Sequence, residues 1–78
     1  PATTISFSLA NRGQVNLAVY DAAGRLVRTL IAENLASGPH AILWDGQDNS
    51  GHMAASGIYL YRLATPDHVL HGKMTLVE

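Results

Sequence analysis

The chain has 78 residues, a formal net charge of −1, and a composition that is 47% hydrophobic and 14% charged. This length and composition predict one domain with a single core over residues 1–78. The near-neutral charge gives no electrostatic reason to expect binding to nucleic acid or to an anionic membrane. The chain contains no cysteine, which excludes disulfides and cysteine metal ligands. No apolar run approaches the roughly 20 residues that a membrane helix needs, so we expect no membrane insertion.

The first two predicted elements are strands at residues 3–9 and 15–20, in which apolar and polar side chains alternate. A period of two is typical of a strand with one buried face and one wet face. The two strands are followed by turns rich in Asn, Asp and Gly, and Gly24 suits a left-handed backbone position in the second turn. The predicted core residues of these strands are Ile5, Phe7, Val15, Leu17 and Val19.

Residues 25–33 have an ambiguous pattern. Four apolar residues, at positions 26, 27, 30 and 31, have helical spacing. The segment is nevertheless short, lacks a capping residue at its start, and lies between turn-bounded strands. We therefore predict a strand here, distorted by a bulge.

The residue pattern in the second half of the chain predicts three more strands. The first follows Gly38 and ends at Trp44, and residues 57–63 form the next, which is apolar on both faces and therefore predicted to be central in its sheet. Residues 69–77 form the last strand, with Leu70, Met74 and Leu76 on one face. The predicted core residues of these strands are Ile42, Trp44, Tyr59, Tyr61, Leu63, Met74 and Leu76.

Between Trp44 and Gly57 lies a long polar connection that we interpret as hairpin-like wiring between two strands. Its turn-forming residues predict side-chain bonds to the nearby backbone, and weak calcium binding by Asp45 and Asp48 is the alternative. An EF-hand loop starting at Asp45 would need Gly at its sixth position and Glu at its twelfth; the chain has serine at both. The predicted turn residues of the whole chain are Gly24, Gly38, Asp45, Gly46, Asp48, Gly51 and Gly57.

No motif in the chain predicts catalysis, a metal site or a cofactor. A Gly-x-Ser-x-Gly elbow is absent, and the Gly-rich segment 46–51 lacks the lysine of a phosphate-binding loop. The four histidines do not form a cluster with the ligand spacing of zinc. We therefore expect no enzyme activity, no catalytic residue, no metal and no cofactor.

The aromatic residues leave two interpretations open. Trp44 is most simply a core anchor, although with Tyr59 and Tyr61 it could form a platform for stacking on carbohydrate. Tyr20 belongs to the polar face of the second strand, and Ile58 and Leu60 lie on the second face of the aromatic strand. An outer sheet face that is partly apolar is either ordinary surface or a protein interface.

Five blocks follow one another along the chain: residues 3–9, 19–28, 38–51 and 56–62, and the pair Lys73-Met74. In this order they resemble the immunoglobulin-like domain of the FlgD type, which is named from the flagellar hook-capping protein. The resemblance covers essentially the whole chain, and the ordered set is more specific than any one block. It also extends to C-terminal domains of secreted bacterial proteins that serve as type IX secretion sorting signals.

The resemblance implies an all-β, immunoglobulin-like antiparallel β-sandwich of about seven short strands, with no catalytic residues to carry over. It implies a sorting, anchoring or assembly domain of an exported or cell-surface bacterial protein. The expected partner is a protein: secretion or surface-assembly machinery, the parent protein, or a second copy in an oligomer or filament. We expect the edges at residues 3–9 and 69–77 to pair with that partner. The alternative functions are a carbohydrate-binding module and a hook-capping assembly domain.

Overall fold

A computed structural model describes residues 2–77 and confirms the predicted all-β class, with two antiparallel sheets and no helix in this range. Six strands are present in it, compared with the seven or so that the resemblance implied. The positions of all six match strands predicted from sequence. They are β1 Thr3–Leu9, β2 Gly13–Asp21, β3 Leu26–Leu35, β4 Gly38–Trp44, β5 Gly57–Ala64 and β6 Val69–Leu76.

The two sheets differ in width. One contains only β1 and β4, and the other contains four strands in the order β3-β2-β5-β6. β5 is therefore central, as predicted from its two apolar faces. Because β4 and β5 belong to different sheets, the connection of residues 45–56 crosses from one sheet to the other. The connection is itself hairpin-like, because Gln47 and Met53 form an isolated antiparallel bridge within it.

The irregular pairing of β3 with β2 explains why the apolar residues of β3 have helical spacing. Leu17 pairs with Ile31 but Ala18 pairs with Thr29, so Leu30 is an extra residue in the ladder. A second register shift between Val19 and Tyr20 adds another. Each extra residue resets the alternation of side chains between the two faces. The pattern that suggested a helix is thus produced by a strand with two irregularities.

The core lies between the two sheets and is apolar. No buried polar or charged residue occurs among residues 2–77. Trp44 is the largest of the fully buried side chains, and its ring meets the ring of Tyr59 edge-on at a centroid distance of 5.2 Å. The complete set of buried apolar residues is Ile5, Leu9, Val15, Leu17, Val19, Ile31, Trp44, Tyr59, Leu63, Met74 and Leu76.

The residues assigned to the core from sequence are placed as follows. Nine of the twelve belong to this buried set, whereas Phe7, Ile42 and Tyr61 are half-buried and pack against it. Leu9 and Ile31 are buried but were not assigned to the core. The alternation of β1 already pointed to Leu9, because it continues the series of Ile5 and Phe7. Ile31 was obscured by the irregular pairing of β3.

Candidate functional site

The β4–β5 connection, residues 45–56, closes the flank of the four-stranded sheet that ends in β3. Asn49 is the main contact: its backbone N–H donates to the carbonyl oxygen of Val27 at 2.9 Å, and its Oδ1 accepts from the N–H of Thr29 at 3.0 Å. Arg28 Nη1 donates to the carbonyl oxygen of Asp48 at 3.0 Å. These bonds satisfy polar groups on the edge strand β3, so the connection protects this edge.

The aspartates of the connection bind its own backbone. Asp45 Oδ1 accepts from the N–H of Gln47 at 3.0 Å. Asp48 Oδ1 accepts from the N–H of Ser50 at 2.9 Å and of His52 at 3.0 Å. The amide hydrogen bond from His52 is the main cause that lowers the pKa of Asp48 below its ordinary value. These are the turn-stabilising bonds predicted from sequence, and residues 2–77 contain no group of three or more potential metal-binding side chains.

The aromatic residues do not form a carbohydrate platform. Trp44 is fully buried, and Tyr59 is only 7% exposed. Their polar atoms are also occupied, because Trp44 Nε1 donates to the carbonyl oxygen of Gln47 at 2.9 Å and Tyr59 Oη donates to that of Ala55 at 2.6 Å. A sugar cannot stack on rings that lie inside the sandwich. Both bonds instead tie the connection to the core.

The glycines predicted to form turns all have positive φ angles, at positions 24, 38, 46, 51 and 57. Gly46 combines this backbone with crowding. Its φ is 85°, and a Cβ atom there would lie 3.1 Å from Met53 and 3.3 Å from Leu76. The connection therefore packs directly on the end of the core at this residue.

The opposite flank, which ends in β6, lacks such a cover. Leu63 and Leu70 are paired across β5 and β6 and therefore point to the same face of the sheet. Leu63 is 2% exposed, whereas Leu70 is 53% exposed. Leu70 shares its predicted face with the buried Met74, but the covering sheet of β1 and β4 does not extend over it. The inner face of β6 is thus open at its N-terminal end.

An open groove lies at this flank, between β1 and the hairpin that joins β5 to β6. Its volume is about 280 Å³. No residue of β4 lines it, so it lies on the side of β1 that has no strand neighbour. We call it the β1–β6 groove. Its lining residues are Ser6, Phe7, Ser8, Leu9, Ala10, Asn11, Leu63, Thr65, Pro66, Asp67, His68 and Leu70.

β1 differs in composition from the other edge strands. Proteins commonly protect a sheet edge with charged residues, proline or bulges. The other edges carry such residues: Arg28 and Glu33 on β3, Pro39 on β4 and Lys73 on β6. β1 has the sequence Thr-Thr-Ile-Ser-Phe-Ser-Leu, with no charge and no proline. Its free edge is therefore unprotected.

A second surface lies on the outer face of the four-stranded sheet. Tyr20 is paired with Leu26 on one side and with Leu60 on the other, so the three side chains form one row across β3, β2 and β5. Ile58 extends the row along β5. Leu26, Ile58 and Leu60 are 52%, 51% and 39% exposed. These four residues, the outer apolar row, form the partly apolar outer face expected from sequence.

The chain was compared with known proteins. Residues 2–67, well over half of the chain, match the family described as the FlgD Ig-like domain. A crystal structure of FlgD from P. aeruginosa superposes with a TM-score of 0.76 and 26% sequence identity. The alignment covers 97% of this chain and 61% of the P. aeruginosa chain, so the present chain spans less than two thirds of that protein. No curated protein sequence matches. No helix among residues 2–77 is long and apolar enough to cross a membrane.

Proposed function

Because the chain belongs to the FlgD Ig-like domain family, we propose that it is a non-catalytic protein-assembly module of an exported or cell-surface bacterial protein. In this proposal, residues 1–78 form one domain that sorts, anchors or assembles the protein carrying it. The partner is the secretion or surface-assembly machinery, the parent protein, or a further copy of the domain.

The unprotected edge of β1 is the observation that carries this proposal. An edge strand presents unpaired N–H and C=O groups, which another polypeptide can use to extend the sheet. The outer apolar row offers a second contact area, of the kind that marks protein interfaces. Both features suit recognition of a protein surface or segment. The core and turn residues assigned from sequence have structural roles in this proposal, holding the two surfaces in place.

Deletion of residues 2–77 from the protein that carries them tests the proposed function. Cells are fractionated, and the protein is quantified in the cytoplasm, the medium and the surface assemblies. We expect synthesis to continue while incorporation into surface assemblies is lost. Unchanged incorporation of the shortened protein would refute an assembly role.

A hook-capping role is a second candidate, supported by the structural match to FlgD of P. aeruginosa. It differs from the general proposal in the structure that is assembled, because a hook-capping domain is needed for flagellar hooks. Electron microscopy of cells that lack residues 2–77 separates the two. Loss of hooks would support the hook-capping role, whereas normal hooks together with loss of another surface assembly would exclude it.

A further inference from the structure

We propose that the β1–β6 groove binds an extended, uncharged segment of a partner polypeptide, which adds a strand to the free edge of β1. This inference rests on the proposed assembly function and specifies the chemistry of its partner. The segment places apolar side chains at alternate positions in the groove, over Phe7 and Leu70. Its polar side chains lie on the outer face, beside Ser6 and Ser8.

The exposure of inward-facing residues indicates that a strand fits here. Ile5 and Leu9 on the inner face of β1 are 4% and 6% exposed, whereas Phe7 between them is only half-buried. Across the groove, Leu70 is 53% exposed although it lies on the core side of β6. Both side chains border the same groove. A strand beside β1 would cover them both and would extend the narrow two-stranded sheet over β6.

The size of the groove favours a peptide segment over the other occupants. Its volume of about 280 Å³ lies just below the roughly 300–1,000 Å³ of small-molecule pockets, so it suits a few side chains better than a drug-sized ligand. Twelve residues line it, whereas folded partners in a standard interface contribute roughly 20–30 residues a side. A surface of twelve residues is too small for a stable dimer of two folded copies. A peptide strand gains affinity from main-chain hydrogen bonds as well as from side-chain pockets.

The charge of the groove selects the chemistry of the segment. β1 contributes no ionisable side chain, and the charged or titratable lining residues, Asp67 and His68, both belong to the β5–β6 turn. A charged side chain placed between the apolar groups of Phe7 and Leu70 would lose much of its hydration. Uncharged segments with alternating apolar residues are therefore favoured, and residues 3–9 of the chain themselves have this pattern.

A fluorescein-labelled peptide with the sequence of residues 3–9 is the probe for this inference. We expect saturable binding by fluorescence anisotropy, and changes in the amide NMR signals of residues 6–9, 65 and 67–70. The same peptide with Phe7→Asp should bind at least tenfold more weakly. Absence of saturable binding at millimolar chain concentration would overturn the inference, as would changes confined to the outer apolar row.

Two matched variants of the chain test the position of the peptide. Leu70→Asp places a carboxylate in the groove, whereas Val69→Asp places it on the opposite face of β6. The two positions are 53% and 50% exposed, so both variants should fold and they carry the same added charge. We expect Leu70→Asp to weaken peptide binding at least tenfold and Val69→Asp to change it less than twofold. Equal effects of the two variants would contradict binding in the groove.

Two further results separate the inference from its alternatives. If sedimentation equilibrium shows that the wild-type chain dimerises and that Leu70→Asp prevents this, the groove serves a second copy and the assignment to a partner segment is wrong. The deletion experiment tests the assembly function independently. Loss of assembly on deletion with normal assembly of Leu70→Asp would refute the groove alone, whereas unchanged assembly on deletion would refute the proposed function.

Discussion

The two flanks of the four-stranded sheet are finished in different ways. At the β3 flank, the connection of residues 45–56 bonds to the edge strand through Asn49 and Asp48, and it reaches the core through Gly46. At the β6 flank no segment of residues 2–77 covers Leu70, and the neighbouring edge of β1 carries no charge or proline. Turn-forming residues therefore do more than reverse the chain. The connection of residues 45–56 covers the edge of β3, whereas the edge of β1 has no such cover and stays available for a partner.

The largest expected effect is at the closed flank, where Trp44 joins the connection to the core. Trp44→Ala should lower the free energy of unfolding by about 3–5 kcal/mol, because a large buried side chain leaves a cavity. Urea unfolding followed by circular dichroism measures this. Leu43→Ala is the control, since Leu43 is 61% exposed and should change stability by no more than about 0.5 kcal/mol. Equal losses in the two variants would contradict the burial of Trp44.

The pair Leu63 and Leu70 compares covered and uncovered positions on one face of the open flank. Leu63→Ala should cost about 2–5 kcal/mol, the usual range for a buried leucine. Leu70→Ala should cost less than about 1 kcal/mol, because half of its side chain is already in water. Urea unfolding of both variants gives the difference directly. A cost for Leu70→Ala that matches Leu63→Ala would show that the free chain already covers the groove.

Alanine variants of two glycines in the connection distinguish the cost of backbone strain from the cost of side-chain crowding. Gly46 and Gly51 have φ angles of 85° and 87°, but only Gly46 has atoms within 4 Å of an added Cβ. The left-handed backbone should cost about 1–2 kcal/mol in either alanine variant. Overpacking should add about 1–3 kcal/mol for Gly46→Ala. Thermal and urea unfolding of both variants should therefore rank Gly46→Ala as the less stable, and the reverse order would argue against contact between the connection and the core.

Replacing Asn49 tests whether the connection is held on β3, and the expected effect on stability is smaller. Asn49→Ala removes the acceptor for the N–H of Thr29 and should cost about 0.5–1.5 kcal/mol. Asn34→Ala on β3 is a suitable control, because the contact of Asn34 with Gln14 is long, at 3.5 Å, and exposed. If both variants have wild-type stability, the side chain of Asn49 does not hold the connection on β3.

The smallest expected effect is a dependence of stability on pH. In the folded chain, backbone hydrogen bonds lower the pKa of both Asp48 and Asp21. The main cause is the amide of His52 for Asp48 and the amide of Arg25 for Asp21. The unfolded chain therefore binds protons more readily at these two carboxylates. Their contribution to the free energy of unfolding is present above the ordinary aspartate pKa of about 3.9, and it is lost as the pH falls through the lowered pKa of the folded chain. We expect the urea midpoint to decrease between pH 6 and pH 2.5. The decrease should be smaller in Asp48→Asn and in Asp21→Asn, and an unchanged decrease in both would contradict this account.

The strands were largely predictable from sequence because alternation is a local property. The segments 3–9 and 15–20 show it directly, and even β3 could be recognised from its flanking turns. The assignment of strands to sheets was not predictable, since the pairing of Thr3 with Trp44 joins residues that are far apart in sequence. The exposure of Leu70 follows from this assignment. Its position in the strand pattern matches that of Met74, and only the narrow width of the opposite sheet distinguishes them.

Amide hydrogen exchange of the free chain, measured by NMR at a concentration where it is monomeric, tests the contrast between the two flanks most directly. We expect slow exchange for the amides of Thr29, Asn49 and Ala54, which are bonded within the closed flank. We expect fast exchange for the β1 amides that do not bond to β4, and protection of these amides when the peptide of residues 3–9 is added. Slow exchange along the free edge of β1 without peptide, or fast exchange at Asn49, would contradict the contrast between a closed and an open flank.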